Sequence, residues 1–197
     1  TIHRQTMLMQ WIALAIFAAY WVLVGRPWSD LGMVAPSGTG FYIGLMLVIA
    51  MCVLLLLSAR KVGGMTSEQK SEQIEALGDT VYILPRSRED LKSFRALSFT
   101  AGLVEEILFR GFVIWYLVHF MPVWAAVVVS SVIFGLGHSY QGAAGGVKTG
   151  LVGLAFASLY VFTGSIWLPI IAHIALDALQ GQIMFELQRP DNSKAPT

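Results

Sequence analysis

Residues 97–120 read LSFTAGLVEEILFRGFVIWYLVHF, an apolar run that is long enough to cross a membrane as a helix, yet it carries two carboxylates and a guanidinium. The wider segment 97–185 holds only five of the chain's 13 basic and 12 acidic residues. A charged side chain at mid-bilayer costs about 2.5–3.5 kcal/mol, so a functional role is the first expectation for the charges within spans, whereas Lys148 directly precedes a predicted span and indicates topology. These five residues are Glu105, Glu106, Arg110, Lys148 and Asp177.

The composition of the whole chain points the same way. Of its 197 residues, 56% are hydrophobic and only 13% are charged, which excludes an ordinary soluble enzyme. A net charge of +1 gives no reason to expect a nucleic-acid partner. The single cysteine, Cys52, cannot form a disulfide within the chain.

Hydropathy predicts an all-α fold, a polytopic transmembrane helix bundle of about six spans. Setting aside Arg26 in an outer loop and Arg110 within a span leaves 11 of the 13 Lys and Arg residues on the side of the N-terminus. Because basic residues of short loops stay cytoplasmic, both termini are predicted to be cytoplasmic. The predicted spans are residues 7–25, 41–59, 95–120, 122–138, 149–163 and 166–184.

Local patterns refine this organisation. The pairs Thr66 with Gln69 and Ser87 with Asp90 are typical of helix starts in the polar stretch between the second and third spans. Glycines at four-residue spacing favour close helix packing, and they occur at Gly142, Gly146 and Gly150. The predicted segments are two N-terminal transmembrane helices (1–59), a cytoplasmic polar connector (60–96), a catalytic membrane core (97–185) and a cytoplasmic tail (186–197).

Helical spacing separates the two adjacent glutamates. Glu106 lies four residues before Arg110 and shares its helix face, whereas Glu105 diverges from that face by about 140°. Glu106 is therefore expected to pair with Arg110, which leaves Glu105 free to act as a general base towards water.

Two later spans carry histidines in a suggestive context. Phe134 precedes His138 by four residues, and His173 precedes Asp177 by four, so each pair shares a helix face. A carboxylate one turn away can orient the ring of His173. His119, at the outer end of its span, has no such neighbour and is assigned to the membrane interface.

These residues resemble the motifs of the CPBP family of intramembrane endopeptidases, which includes type 2 CAAX prenyl proteases, bacteriocin-processing enzymes and abortive-infection-like proteins. Glu105 to Arg110 resembles its EExxxR motif, Phe134 to His138 its FxxxH motif, and His173 to Asp177 its HxxxN/D motif. The resemblance implies that Glu105 activates water and that His138 and His173 bind water or the oxyanion. Asp177 replaces an amide, so an orienting role towards His173 is expected of it. Prenyl-protease members carry more spans, which suggests a further N-terminal helix upstream.

Two chemistries are compatible with this set of residues. In the favoured one no cofactor takes part, and the histidines stabilise the oxyanion while Glu105 takes a proton from water. In the other, a metalloprotease mechanism, Glu105, His138 and His173 hold zinc or another divalent metal. The HExxH pattern of common zinc proteases does not occur in the chain.

The function that these observations favour is cleavage of a peptide bond in a membrane-tethered peptide or protein, prenylated CAAX-type substrates included. The enzyme is predicted to be a multi-pass protein of the cell membrane whose active site faces the cytoplasm, with the lipid bilayer as its other partner. Two alternatives remain: a proton- or metal-coupled transporter, because Glu and His within spans also form relays, and a non-catalytic immunity or scaffold protein of the same family.

Overall fold

The computed structural model describes residues 2–77 and 85–189, and no β-strand occurs within those two ranges. The predicted all-α fold is confirmed. The α-helices are α1 (Ile2–Leu23), α2 (Gly38–Gly63), α3 (Ser67–Leu77), α4 (Arg88–Glu105), α5 (Ile114–Leu117), α6 (Val123–Gly137), α7 (Gly142–Thr163) and α8 (Trp167–Gln188). A π-helix, Glu106–Val113, joins α4 to α5 without a break and is called the π segment below. Short 3₁₀ turns occupy Trp28–Leu31 and Ser139–Gln141.

Helical segments overlap all six predicted spans, but they differ in their capacity to cross a bilayer. Four are long and apolar enough by length and composition: Ile2–Leu23, Gly38–Gly63, Ser139–Thr163 and Trp167–Gln188. Helix α6 is apolar but has only 15 residues. Large apolar side chains on the outer faces of α1 and α2, such as Leu8, Ile16 and Leu54, are exposed, as expected of surfaces that face lipid. The number of spans and the side of the termini stay predictions.

Both predicted helix starts in the polar connector are confirmed. Thr66 and Gln69 exchange side-chain and backbone hydrogen bonds immediately before α3. Ser87 and Asp90 form a capping box at the start of α4, which satisfies backbone N–H groups that a helix start leaves unpaired. Helix α4 runs without a break through the predicted boundary between residues 96 and 97. Most of the predicted tail 186–197 lies outside the described residues, because the description ends at residue 189.

Close helix packing brings the later elements together. A Cβ added at Gly135 of α6 would lie 2.7 Å from the carbonyl oxygen of Gly146 and 3.0 Å from Cα of Gly150. The predicted packing role of Gly146 and Gly150 is thus confirmed. Gly142 has a different role: its φ of +83° places it at the turn where α7 begins, with nothing within 4 Å of an added Cβ. This packing holds the end of α6, and with it His138, beside α7.

The N-terminal helix α1 packs along α4 and the π segment. Near its C-terminal end, Phe17 and the fully buried Trp21 join Ile107 of the π segment and Ile170 of α8 in one apolar cluster. At the other end, Nδ1 of His3 lies 3.2 Å from Oγ of Ser93. Helix α1 is therefore held against the glutamate-bearing helix along its length.

Candidate active site

The pair formed by Glu106 and Arg110 is the most buried part of the site. Their side chains are 0% and 1% exposed, and Nη1 of Arg110 lies 2.9 Å from Oε1 of Glu106, an ion pair whose geometry is not that of an aligned hydrogen bond. Nη2 of Arg110 donates to the carbonyl oxygen of Gly153 at 3.2 Å, and its guanidinium lies 4.3 Å from the ring centre of Phe134. Opposite charge and these contacts offset part of the cost of burying the two groups, while Oε2 of Glu106 is buried without a hydrogen-bond partner among the described residues.

The helical segment that carries this pair is not a regular α-helix, which the predicted spacing of Glu106 and Arg110 assumes. Residues Glu106–Val113 form a π-helix, whose wider turns make i→i+5 hydrogen bonds. Glu105 is the last α-helical residue before the change. Residues four apart still share a face, so Glu106 meets Arg110 as expected. Single π turns within α-helices occur frequently at functional sites.

His173 lies between two carboxylates. Its Nδ1 is 2.7 Å from Oε1 of Glu106, and its Nε2 is 3.5 Å from Oδ2 of Asp177. The sequence analysis predicts that Asp177 orients the ring of His173, but His173 makes its shorter contact with Glu106. Glu106 therefore contacts both Arg110 and His173. Nε2 is the nitrogen of His173 that faces Glu105 and Asp177.

His138 is fixed by the helix that it follows. Its Nδ1 lies 2.8 Å from the carbonyl oxygen of Phe134, and its ring packs on that of Phe134 with 4.6 Å between ring centres. A carbonyl oxygen only accepts, so Nδ1 of His138 carries the proton of this bond. Nε2 of His138 then points towards Glu105.

Glu105 stands where the two histidines converge. Its Oε2 is 4.0 Å from Nε2 of His138 and 4.0 Å from Nε2 of His173. These distances are too long for direct hydrogen bonds. Two hydrogen bonds of about 2.8 Å that meet at a water oxygen at about 90–100° span about 4.0–4.3 Å. Oε2 of Glu105 is therefore at a distance from each histidine that one bridging water molecule can span.

The other oxygen of Glu105 is held by a residue that the sequence analysis missed. Nε2 of Gln10, on α1, donates to Oε1 of Glu105 at 2.8 Å. Oε1 of Gln10 is buried without a hydrogen-bond partner among the described residues. The signal in the sequence was an amide within the apolar run 7–25, which a search for charged residues passes over.

The members of the cluster differ in how far their side chains are exposed. His173 is 8% exposed, Glu105 17%, His138 19% and Asp177 32%, whereas the supporting ion pair is closed off. Three carboxylates and one guanidinium leave two negative charges when both histidines are neutral. The supporting ion pair is thus closed off, whereas Glu105, His138 and Asp177 are partly accessible.

The side chains as they stand do not form a metal site. Among the described residues, no three His, Cys, Asp or Glu side chains are grouped so that they could hold a metal ion. Ligands of tetrahedral zinc, at about 2.0–2.1 Å from the metal, lie about 3.3 Å apart, which is shorter than the 4.0 Å between Glu105 and each histidine.

Fold and site together define a membrane protein with a cluster of carboxylates and histidines from the α4 to α5 region, the end of α6 and α8, which Gln10 of α1 contacts. Residues 88–179 match the family described as Type II CAAX prenyl endopeptidase Rce1-like. The chain therefore contains a domain of this family, consistent with the CPBP resemblance of the sequence motifs. No curated protein and no solved structure matches the chain.

Proposed function

We propose that this protein is an intramembrane endopeptidase in which Glu105 activates a water molecule for attack on a peptide bond. The family domain supports a CAAX-type protease kind of function. The observation that carries the proposal is the position of Oε2 of Glu105, 4.0 Å from Nε2 of both His138 and His173. A general base must lie within hydrogen-bond reach of the water that it deprotonates, and this spacing provides that reach for one water.

In the proposed reaction the water donates one hydrogen to Oε2 of Glu105 and the other to Nε2 of His138. Its oxygen attacks the carbonyl carbon as Glu105 takes the first proton, and the carbonyl π-electron pair becomes the oxyanion. His173 takes part as an imidazolium: its Nδ1–H donates to Glu106 and its Nε2–H donates to that oxyanion. When the tetrahedral intermediate collapses, the C–N bond breaks and Glu105 returns its proton to the leaving nitrogen.

The surrounding residues support this arrangement without entering the reaction. Gln10 holds Oε1 of Glu105 and so turns Oε2 towards the histidines. Glu106 accepts from Nδ1 of His173, which leaves Nε2 for the substrate, and Arg110 balances the charge of Glu106. Asp177, the most exposed member, lies beside the nitrogen that would meet the oxyanion.

We further propose that no metal ion takes part, because the spacing of Glu105 and the histidines suits a water better than a metal. The test is to strip the purified protein of metal, measure its residual zinc and other divalent ions, and assay it in excess chelator. Full activity of metal-stripped protein is expected. Activity that disappears with the chelator and returns on adding zinc would contradict the metal-free proposal.

The proposed substrate is a membrane-tethered peptide or protein that reaches the site from the cytoplasmic side, and a prenylated CAAX-type peptide is the first to assay. The experiment compares wild type with Glu105→Gln in reconstituted vesicles and reads new peptide termini by mass spectrometry. In parallel, membrane proteomes of cells carrying each form identify accumulated precursors. Glu89→Gln, an exposed carboxylate near the start of α4, is the matched control.

The expected outcome follows from the part that a general base plays in the rate. Glu105→Gln should slow cleavage by about 10²–10⁴-fold while the protein still folds, and Glu89→Gln should cleave as wild type does. Wild-type activity in the Glu105→Gln protein would remove Glu105 from the mechanism.

A further inference from the structure

A second feature of the molecule lies between the first turns of α4 and the last turns of α8. It is a cavity of about 290 Å³ that shares no residue with the carboxylate and histidine cluster. Two apolar side chains, Leu91 and Phe185, are buried in its wall. The other lining residues are polar or charged: Arg88, Lys92, Arg95, Gln182, Glu186 and Arg189.

The charges that line this cavity are unbalanced. Glu186 is its one carboxylate, and it is already engaged: Nε2 of Gln182 donates to its Oε1 at 2.8 Å, and Nη1 of Arg189 lies 3.3 Å from its Oε2. Within residues 2–77 and 85–189, the side chains of Arg88 and Lys92 have no hydrogen bond or ion pair with another residue. Four cations and one carboxylate leave three positive charges around the cavity.

Topology alone explains why cations lie at this end of the bundle, but not why they converge. Arg60 and Lys61, in the last turn of α2, satisfy the positive-inside rule from an exposed position and line no part of this cavity. By contrast, Arg88, Lys92 and Arg95 are three or four residues apart on one face of α4, and Arg189, immediately after α8, lines the same cavity. Such a site suits an oxyanion ligand, because the forked N–H groups of Arg bind phosphate oxygens in pairs.

The position and size of the cavity identify the source of that oxyanion. Helices α4 and α8 both lead from the cavity into the apolar bundle, so a ligand here can keep acyl chains along the helices while its headgroup meets the cations. The volume is about ten times the 30 Å³ share of one water molecule, which leaves room for more than an inorganic phosphate ion. Three excess positive charges disfavour the quaternary ammonium of a zwitterionic lipid.

We propose that this cavity binds the phosphate headgroup of an anionic phospholipid from the leaflet on that side, which the charge distribution predicts to be cytoplasmic. Basic pockets between membrane helices on the cytoplasmic side are suited to anionic headgroups. The site is independent of the proposed peptidase reaction, and its test needs no activity assay.

The test measures lipid binding to the full chain in detergent by native mass spectrometry, with phosphatidylglycerol and phosphatidylcholine as the two probes. Wild type should prefer phosphatidylglycerol. Each cation near an anionic lipid surface is worth about fivefold in binding, so the triple variant Arg88→Gln, Lys92→Gln, Arg189→Gln should bind phosphatidylglycerol about a hundredfold more weakly. The matched control removes three cations elsewhere on the same predicted side, Arg60→Gln, Lys61→Gln and Lys148→Gln, and should keep the preference.

A second variant tests the proposal by an increase in lipid affinity. It remains informative if the triple variant does not fold. Glu186→Gln removes the only carboxylate of the lining and should strengthen phosphatidylglycerol binding by about fivefold. The proposal is overturned if wild type binds both lipids equally, or if Glu186→Gln leaves phosphatidylglycerol binding unchanged. It is also overturned if the control variant loses as much affinity as the triple variant, or if inorganic phosphate at equal concentration displaces the lipid.

Discussion

At the scale of single residues, Glu105 and Glu106 show how neighbours in sequence acquire different partners. Glu106 is fully buried and faces Arg110 and His173, while Glu105 is partly exposed and faces Gln10 and the Nε2 atoms of the histidines. The i and i+4 spacing predicts the pairing of Glu106 with Arg110, because that contact lies within one helix. It does not predict the contact with His173, which depends on how α8 packs against the π segment.

Gln10 is the residue whose proposed role is most open to a direct test. Gln10→Leu keeps the size of the side chain but removes the donor to Glu105, and a hydrogen bond to a charged group is worth about 1.5–3 kcal/mol. We expect kcat to fall about 10- to 100-fold with little change in KM, because the substrate itself loses no contact. Gln10→Glu should cost more, since it places a second carboxylate against Glu105.

The control for this prediction lies on the same helix. Gln5 is exposed, so Gln5→Leu should leave kcat and the thermal midpoint of unfolding unchanged. A purely structural role of Gln10 would lower the thermal midpoint of Gln10→Leu and leave kcat per folded molecule as in wild type. That result would remove Gln10 from the positioning of Glu105.

At the scale of the helices, the site depends on close contacts that only small residues allow. The carbonyl oxygen of Gly153 on α7 accepts from Arg110, and the ring of Phe134 packs over the same place. A Cβ added at Gly153 would lie 2.9 Å from Cδ1 of Phe134 and 3.1 Å from Nη2 of Arg110. Helix α7 thus contributes to the support of the site through its backbone, which a search for functional side chains does not detect.

Gly153→Ala is therefore expected to be destabilising. Overpacking of this kind costs about 1–3 kcal/mol, which corresponds to a fall of about 3–10 °C in the thermal midpoint for a chain of this size. The measurement is thermal unfolding of purified protein in detergent. Gly137→Ala, at the end of α6, is the matched control, because nothing lies within 4 Å of its added Cβ. Equal midpoints for the two variants would contradict the close approach at Gly153.

At the scale of the whole molecule, the sequence predicts the positions of helices better than it predicts their internal geometry. Apolar runs with polar ends mark helical segments because lipid and buried core both require apolar surface. The π-helix at Glu106–Val113 leaves no comparable trace in composition, and Gln10 meets Glu105 across 95 positions of sequence. Such contacts depend on tertiary packing, which the local sequence pattern does not contain. The roles of Glu105, His138, His173 and Asp177 stay proposals, and they are based on the side-chain chemistry of these four residues.

The orientation of the molecule in the membrane connects both proposals, and it can be tested with two exposed serines. Ser37 precedes α2 and Ser71 lies in α3 beyond its other end. The 26 residues of α2 reach about 39 Å, enough to cross a hydrocarbon core of about 30 Å. In a Cys52→Ser background, Ser37→Cys should react with a membrane-impermeant maleimide in intact cells, and Ser71→Cys only after permeabilisation.

The two labelling sites distinguish the possible arrangements. Reversed labelling would place the Arg88 end of α4, and with it the lipid cavity, on the outer side, against the positive-inside prediction. Labelling of both sites in intact cells would show that α2 does not separate them across the bilayer. The expected pattern would put the Arg88 end of α4 on the cytoplasmic side, with Glu105 and the neighbouring His138 at the other end of that helix. Under the proposed function, a substrate anchored in the cytoplasmic leaflet would then have to approach Glu105 from the end of the bundle that holds Arg88.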